Sequence, residues 1–164
     1  MLDPVAATVE ELAFGEFFNR LLETLEMHQR TLGPLRDQTV VATYNLFNLY
    51  RDSDRAAEAA KLVEDLAAKQ AVKYRVEKSE HLRTLFRLGV ASRESGQLQV
   101  AEQQIHNALS GLRQNGVTAG DSTIQQILLE RVSLYQETER PELEVGCLRE
   151  LLANTAATNS SYAR

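Results

Sequence analysis

Three histidines and one cysteine are the side chains of this sequence best suited to hold a metal or attack an electrophile: His28, His81, His106 and Cys147. Metal ligands on a helix recur three or four residues apart, so that two of them share a face. No two of these four stand at that spacing, and no metal site is expected. Cys147 adjoins Leu148 on what reads as an apolar helix face, without a histidine or aspartate on that helix. A thiol needs a neighbouring base or cation to become a nucleophile; Cys147 is therefore expected to be a packed, inert side chain. The stretch "GVTAGDS" sets Gly116 and Gly120 before a helix start, where backbone N–H groups can hold an anion. It lacks the lysine and the preceding strand of a phosphate-binding loop and reads as an interhelical loop. The acidic pairs Glu10–Glu11 and Glu142–Glu144 lie near helix starts, where the helix dipole favours negative charge without any catalysis. The residue chemistry thus points to no enzyme and to no cofactor.

The elements that carry these residues are helical. The chain has 164 residues, 43% apolar and 25% charged, enough for one domain with its own core. A net charge of −5 argues against binding nucleic acid or an anionic membrane surface. No apolar run reaches the ~20 residues of a membrane span. The opening "MLDPVAATVEEL" has no basic region followed by an apolar core, so no secretory signal is expected. The single cysteine fits a reducing, cytoplasmic setting. Strand signals are missing, because β-branched residues never cluster and no run alternates for long. Helical periodicity, broken by "LGP", "RDSD", "SG", "NG" and "GDS", predicts about seven helices. They run near 8–32, 36–52, 55–74, 78–95, 98–114, 122–138 and 141–153, with Asp54 as the expected N-cap of the third. The end, "NTAATNSSYAR", is small and polar and is expected to be a disordered tail over 154–164.

The short connections make successive helices antiparallel neighbours, and evenly spaced hairpins ask for a repeat. Markers at Leu88, Gly96, Ala101, Ile105 and Ala108 recur 42 residues earlier as Leu46, Asp54, Ala59, Val63 and Leu66. A step of 43 forward from Ile105 and Ala108 reaches Leu148 and Leu151, and the earlier copy reaches back to Leu21 and Thr24. Alanines at helix crossings let backbones approach where a bulky side chain would hold them apart.

The stretch "LFRLGVASRESGQLQVAEQQIHNAL" resembles a tetratricopeptide repeat (TPR) through Leu85, Leu88, Gly89, Gly96, Ala101, Ile105 and Ala108. "TYNLFNLYRDSDRAAEAAKLVEDL" follows the same pattern through Leu46, Tyr50, Ala59 and Val63. The third copy keeps Leu128, Tyr135 and Leu148 but carries Arg131 and Glu144 where leucine and alanine are expected. The period of about 42, with "TLG" closing one helix and "NLFNLY" opening the next, is similar to the long repeats of the kinesin-light-chain type. The resemblance implies an all-α fold, a right-handed α–α superhelix of about seven antiparallel helices. It would be a single domain over 1–155: an extra helix or half repeat at 8–33, then repeats at 36–76, 78–117 and 121–153.

In such a stack the first helix of each pair lines a concave groove, which places Tyr44, Asn45, Asn48, Arg51 and Asp52 of the first repeat and Arg83, Phe86, Arg87, Val90 and Arg93 of the second on its face, with Tyr44, Asn45, Asn48, Arg51, Arg83, Phe86, Arg87 and Arg93 as the expected peptide-binding residues. The third repeat would add Gln126, Leu129, Glu130, Ser133 and Glu137. Asparagine amides can bond an extended backbone, and arginine forks suit carboxylates. The expected function is a protein-interaction scaffold or adaptor whose groove holds a protein or peptide partner, acidic in character. Against this stands a solvated helix face whose arginines pair within the chain. The alternative is a helical-repeat docking subunit of a large assembly, of the kind in proteasome-lid and translation-factor complexes. It would use its ends, through which the chain could also self-associate. A regulatory sensor domain or an enzyme is the remaining alternative.

Overall fold

A computed structural model describes the backbone of residues 4–73 and 78–162, and the side chains within 14–73 and 78–155. The described residues form seven α-helices and no strand: α1 (Pro4–Thr31), α2 (Asp37–Asp52), α3 (Ala56–Lys73), α4 (Ser79–Glu94), α5 (Leu98–Gln114), α6 (Ser122–Glu137) and α7 (Pro141–Tyr162). The all-α expectation holds, and most bounds fall where breakers placed them. The last helix departs from that reading. It continues as helix to Tyr162, through the stretch taken for a disordered tail. No glycine or proline stops it there, and alanine at 153, 156 and 157 favours helix.

The turns inside the three hairpins share one geometry. Asp54, Gly96 and Glu139 each adopt a left-handed backbone, at φ 55°, 80° and 54°. The residue after each donates its N–H back to a carbonyl five positions earlier: Arg55 to Tyr50 at 2.9 Å, Gln97 to Ser92 at 2.8 Å and Arg140 to Tyr135 at 2.9 Å. The left-handed residue itself bonds three positions back, as Gly96 does to Arg93 at 2.9 Å. This double bond satisfies the last carbonyls of the first helix and reverses the chain within a few residues. Asp54 is thus the turn residue of its repeat. It does not cap α3, which begins at Ala56.

The chain parts into two compact units, residues 1–69 and 70–164. In a repeat array each hairpin touches chiefly its neighbours, so composition carries no mark of where the chain divides. In the first unit, α1 packs on α2 around buried Leu25, Ala42 and Leu46. Phe18, Leu21, Leu22, Tyr50 and Leu62 of α3 close over that cluster. The Phe18 and Tyr50 rings meet edge to face at 5.2 Å, and the Arg55 guanidinium lies over both.

The second unit holds a continuous core from Leu82, Phe86 and Val90 through Ile105 and Leu109 to Ile127, Leu134 and Cys147. Ala101 and Ala108 are fully buried in it, as the crossing argument required. Gly89 permits the tightest approach: a Cβ there would stand 2.6 Å from Ile105 Cγ1 and 3.3 Å from the Ile105 backbone nitrogen. The third hairpin departs from that register. Val132 stands where Gly89 does one repeat earlier, and Leu148, expected in Ile105's buried place, is 40% exposed while Cys147 is buried. A β-branched side chain where the second hairpin has glycine needs room of its own, so the close approach made at Gly89 is not open to the third hairpin.

Candidate functional site

In the first unit, α2 carries Asn45, Asn48 and Asp52 at i, i+3 and i+7, on one helix face. All three are exposed. With Phe17 and Leu21 of α1 and with Leu49, they line a groove of about 270 Å³ between α1 and α2. Phe17 is 55% exposed: Phe18 beside it turns to Tyr50, and Phe17 is left facing solvent at the groove edge. Asp52 is the only charged residue among the described residues that line the groove. Among the described residues the side chains of Asn45, Asn48 and Asp52 make no hydrogen bond or ion pair, so their polar atoms remain available to a ligand. Tyr44 and Arg51, also expected at the site, are half-buried and do not line the groove. The Arg51 guanidinium lies 5.5 Å from the Phe47 ring.

In the second unit the expected arginines are committed within the chain. Arg83 donates to Thr123 Oγ1 at 2.9 Å and to Asp121 Oδ2 at 3.2 Å. Asp121 is the N-cap of α6, accepting from the Thr123 N–H at 2.7 Å. Arg93 donates to Glu130 Oε1 at 2.6 Å and also pairs with Glu137. Burial works against the Arg93 charge, but the two carboxylates outweigh it and hold its pKa above the ordinary value. Arg87 donates to the Arg83 carbonyl at 3.3 Å. Phe86 is a core residue, 6% exposed, and does not wall a pocket. Glu130 and Glu137, expected on the groove face of α6, are the acids that neutralise Arg93, while Leu129 remains 56% exposed there.

Two features escaped the sequence reading. Phe17 and Leu21 belong to the extra helix or half repeat, outside the expected site, yet they form one wall of the groove. The signal was present: Phe14, Phe17, Phe18, Leu21, Leu22 and Leu25 make an apolar arc wider than one partner helix covers. Four arginine–acid pairs span 37 or 38 residues, namely Arg83–Asp121, Arg93–Glu130, Arg113–Glu150 and Arg140–Glu102, while the second partner of Arg93, Glu137, stands 44 away. A repeat period of about 42, less one helical turn, would have located the four.

His81 is buried, and burial lowers its pKa below 6.5. Cys147 is 5% exposed, and burial raises its thiol pKa, with Glu150 adding to the rise and Arg131 and Arg113 opposing it. Neither faces the groove, and among the described residues no three histidine, cysteine, aspartate or glutamate side chains gather as metal ligands. No helix among the described residues is long and apolar enough to cross a membrane.

No protein-family model and no curated protein matches the sequence. The fold is similar to a solved structure of nearly identical TPR-like repeats from a kinesin light chain candidate of Podosopora anserina. That match has a TM-score of 0.71 and 20% identity, and covers 91% of this chain and 70% of the other. A single-substitution variant of the same fungal protein matches with a TM-score of 0.72 and 19% identity over the same shares. The chain thus has the fold of a TPR-like helical repeat array.

Proposed function

We propose that the chain is a non-enzymatic protein-interaction scaffold and that the groove between α1 and α2 is its peptide-binding site. The carrying observation is the contrast between the two units. The α4 arginines Arg83 and Arg93 already have carboxylate partners, whereas Asn45, Asn48 and Asp52 stand free beside an exposed phenylalanine. Unspent hydrogen-bonding groups next to exposed apolar surface are what an interface core requires. The TPR-like fold supports the same reading, since stacked hairpins offer long helix faces rather than an enclosed reaction chamber.

The test is affinity capture from cell extract with wild-type chain and a Phe17→Ala/Asn48→Ala double variant. Both residues are exposed, so helicity and melting temperature should stay unchanged. The double variant is expected to lose the partners that the wild type retains. Equal recovery by both proteins would place binding elsewhere.

A second reading is docking through the last helix. Val145, Leu148 and Leu152 are 42%, 40% and 70% exposed and recur along one side of α7. A Leu148→Glu/Leu152→Glu variant tests it: loss of partners there, with the groove variant unaffected, would assign the function to α7.

A further inference from the structure

We propose that the α1–α2 groove takes an extended segment of a partner protein that presents an apolar anchor and, two or three residues away, a lysine or arginine. This rests on the reading of that groove as the peptide site and adds the chemistry of its occupant.

The row Asn45, Asn48, Asp52 advances seven residues along α2, a rise of about 10 Å. An extended chain advances about 3.3 Å per residue, so roughly three residues of a peptide match the row. Each asparagine amide offers a carbonyl and an NH₂ group, which together can pair with a backbone N–H and C=O. A helical ligand would present no free backbone groups at its middle. It could meet the two amides only through polar side chains of its own, and would leave them unsatisfied where it covered them with apolar ones, at a cost in affinity. The arrangement therefore favours an extended occupant.

Asp52 decides the charge. Its carboxylate can only accept hydrogen bonds, and among the described residues no positive side chain lines the groove to meet it. A ligand lysine or arginine supplies a charge-assisted bond there. An acidic segment would meet Asp52 and a chain of net charge −5. Phosphate-bearing partners are disfavoured on the same ground. The apolar end is set by Phe17 and Leu21 on α1 with Leu49 of α2. A volume of about 270 Å³ lies just under the range of small-molecule pockets, roughly 300–1,000 Å³, and suits one anchoring side chain with its flanking backbone.

The experiment selects a random heptapeptide library displayed on phage against the full chain, then measures a synthetic selected peptide by fluorescence anisotropy. Selected sequences are expected to share an apolar residue two or three positions from a lysine or arginine. Asp52→Lys should weaken the peptide at least tenfold. Phe17→Ala and Asn48→Ala should each weaken it severalfold, as should N-methylation of the peptide backbone between the anchor and the basic residue. Circular dichroism checks that each variant keeps its helices. Binding that falls with Phe17→Ala and Asn48→Ala but survives Asp52→Lys, or selection of acidic sequences, overturns the basic occupant and leaves the site standing. Insensitivity to N-methylation overturns the extended mode. Binding indifferent to Phe17→Ala and Asn48→Ala, or no selected peptide at all, overturns the site and the proposal together.

Discussion

Asp121 shows how much one carboxylate can organise. It caps α6 through the Thr123 N–H and holds Arg83 of α4 at 3.2 Å. Burial pushes its pKa up, but the Thr123 amide and hydroxyl and the Arg83 guanidinium together pull it below the ordinary carboxylate value. A depressed folded-state pKa means that this stability is present above the unfolded value, near 3.9, and is lost as pH falls through the folded value. Asp121→Ala should lower unfolding free energy by about 1 kcal/mol at pH 7. In urea denaturation the gap between the two proteins should narrow as pH falls below about 4. At this scale the sequence was only half legible. Asn45 and Asn48 could be placed on an exposed face from helical register alone. Arg83 and Arg93 could be placed on a face too, but their acids lie a repeat away, and one sequence does not say which surface charges have found partners.

The hairpin is the scale at which the sequence spoke most clearly, because its signals are local. Alanine, glycine and leucine at fixed offsets predicted the second hairpin, and Ala101, Ile105 and Ala108 are fully buried. The third was misread at Leu148, since a marker carried over by counting ignores what stands opposite it. There, Val132 replaces the glycine. Gly89→Ala tests that argument directly. The new methyl meets Ile105 Cγ1 at 2.6 Å and backbone behind it, so the helices must separate. A loss of about 1–3 kcal/mol is expected in urea denaturation, as for other overpacked cores. The turns give a prediction of opposite sign. Glu139 holds a left-handed backbone that costs a side-chain-bearing residue about 1–2 kcal/mol. Glycine avoids that at an entropic cost of about 0.5–1 kcal/mol. Glu139→Gly should therefore raise stability by about 0.5–1 kcal/mol, read as a higher urea midpoint with an unchanged slope.

Across the whole molecule, stability is distributed along the chain, because each of the two units holds a core of its own. Damage should accordingly stay local. In hydrogen exchange, Gly89→Ala is expected to reduce protection most in α4 and α5, with residues 14–69 keeping more of theirs. Equal loss throughout would show that the chain opens only as one piece. The architecture was legible from period and turn residues, whereas the division at residue 69 was not. It depends on contact density, which no residue type announces. Cys147 gives the chain a built-in clock. It is the only sulfhydryl, and it is walled off by the core of the second unit. A reagent such as Ellman's can reach it only during moments when α7 lifts away. The rate of colour development therefore counts those openings, with no label added and no second thiol to confuse the signal.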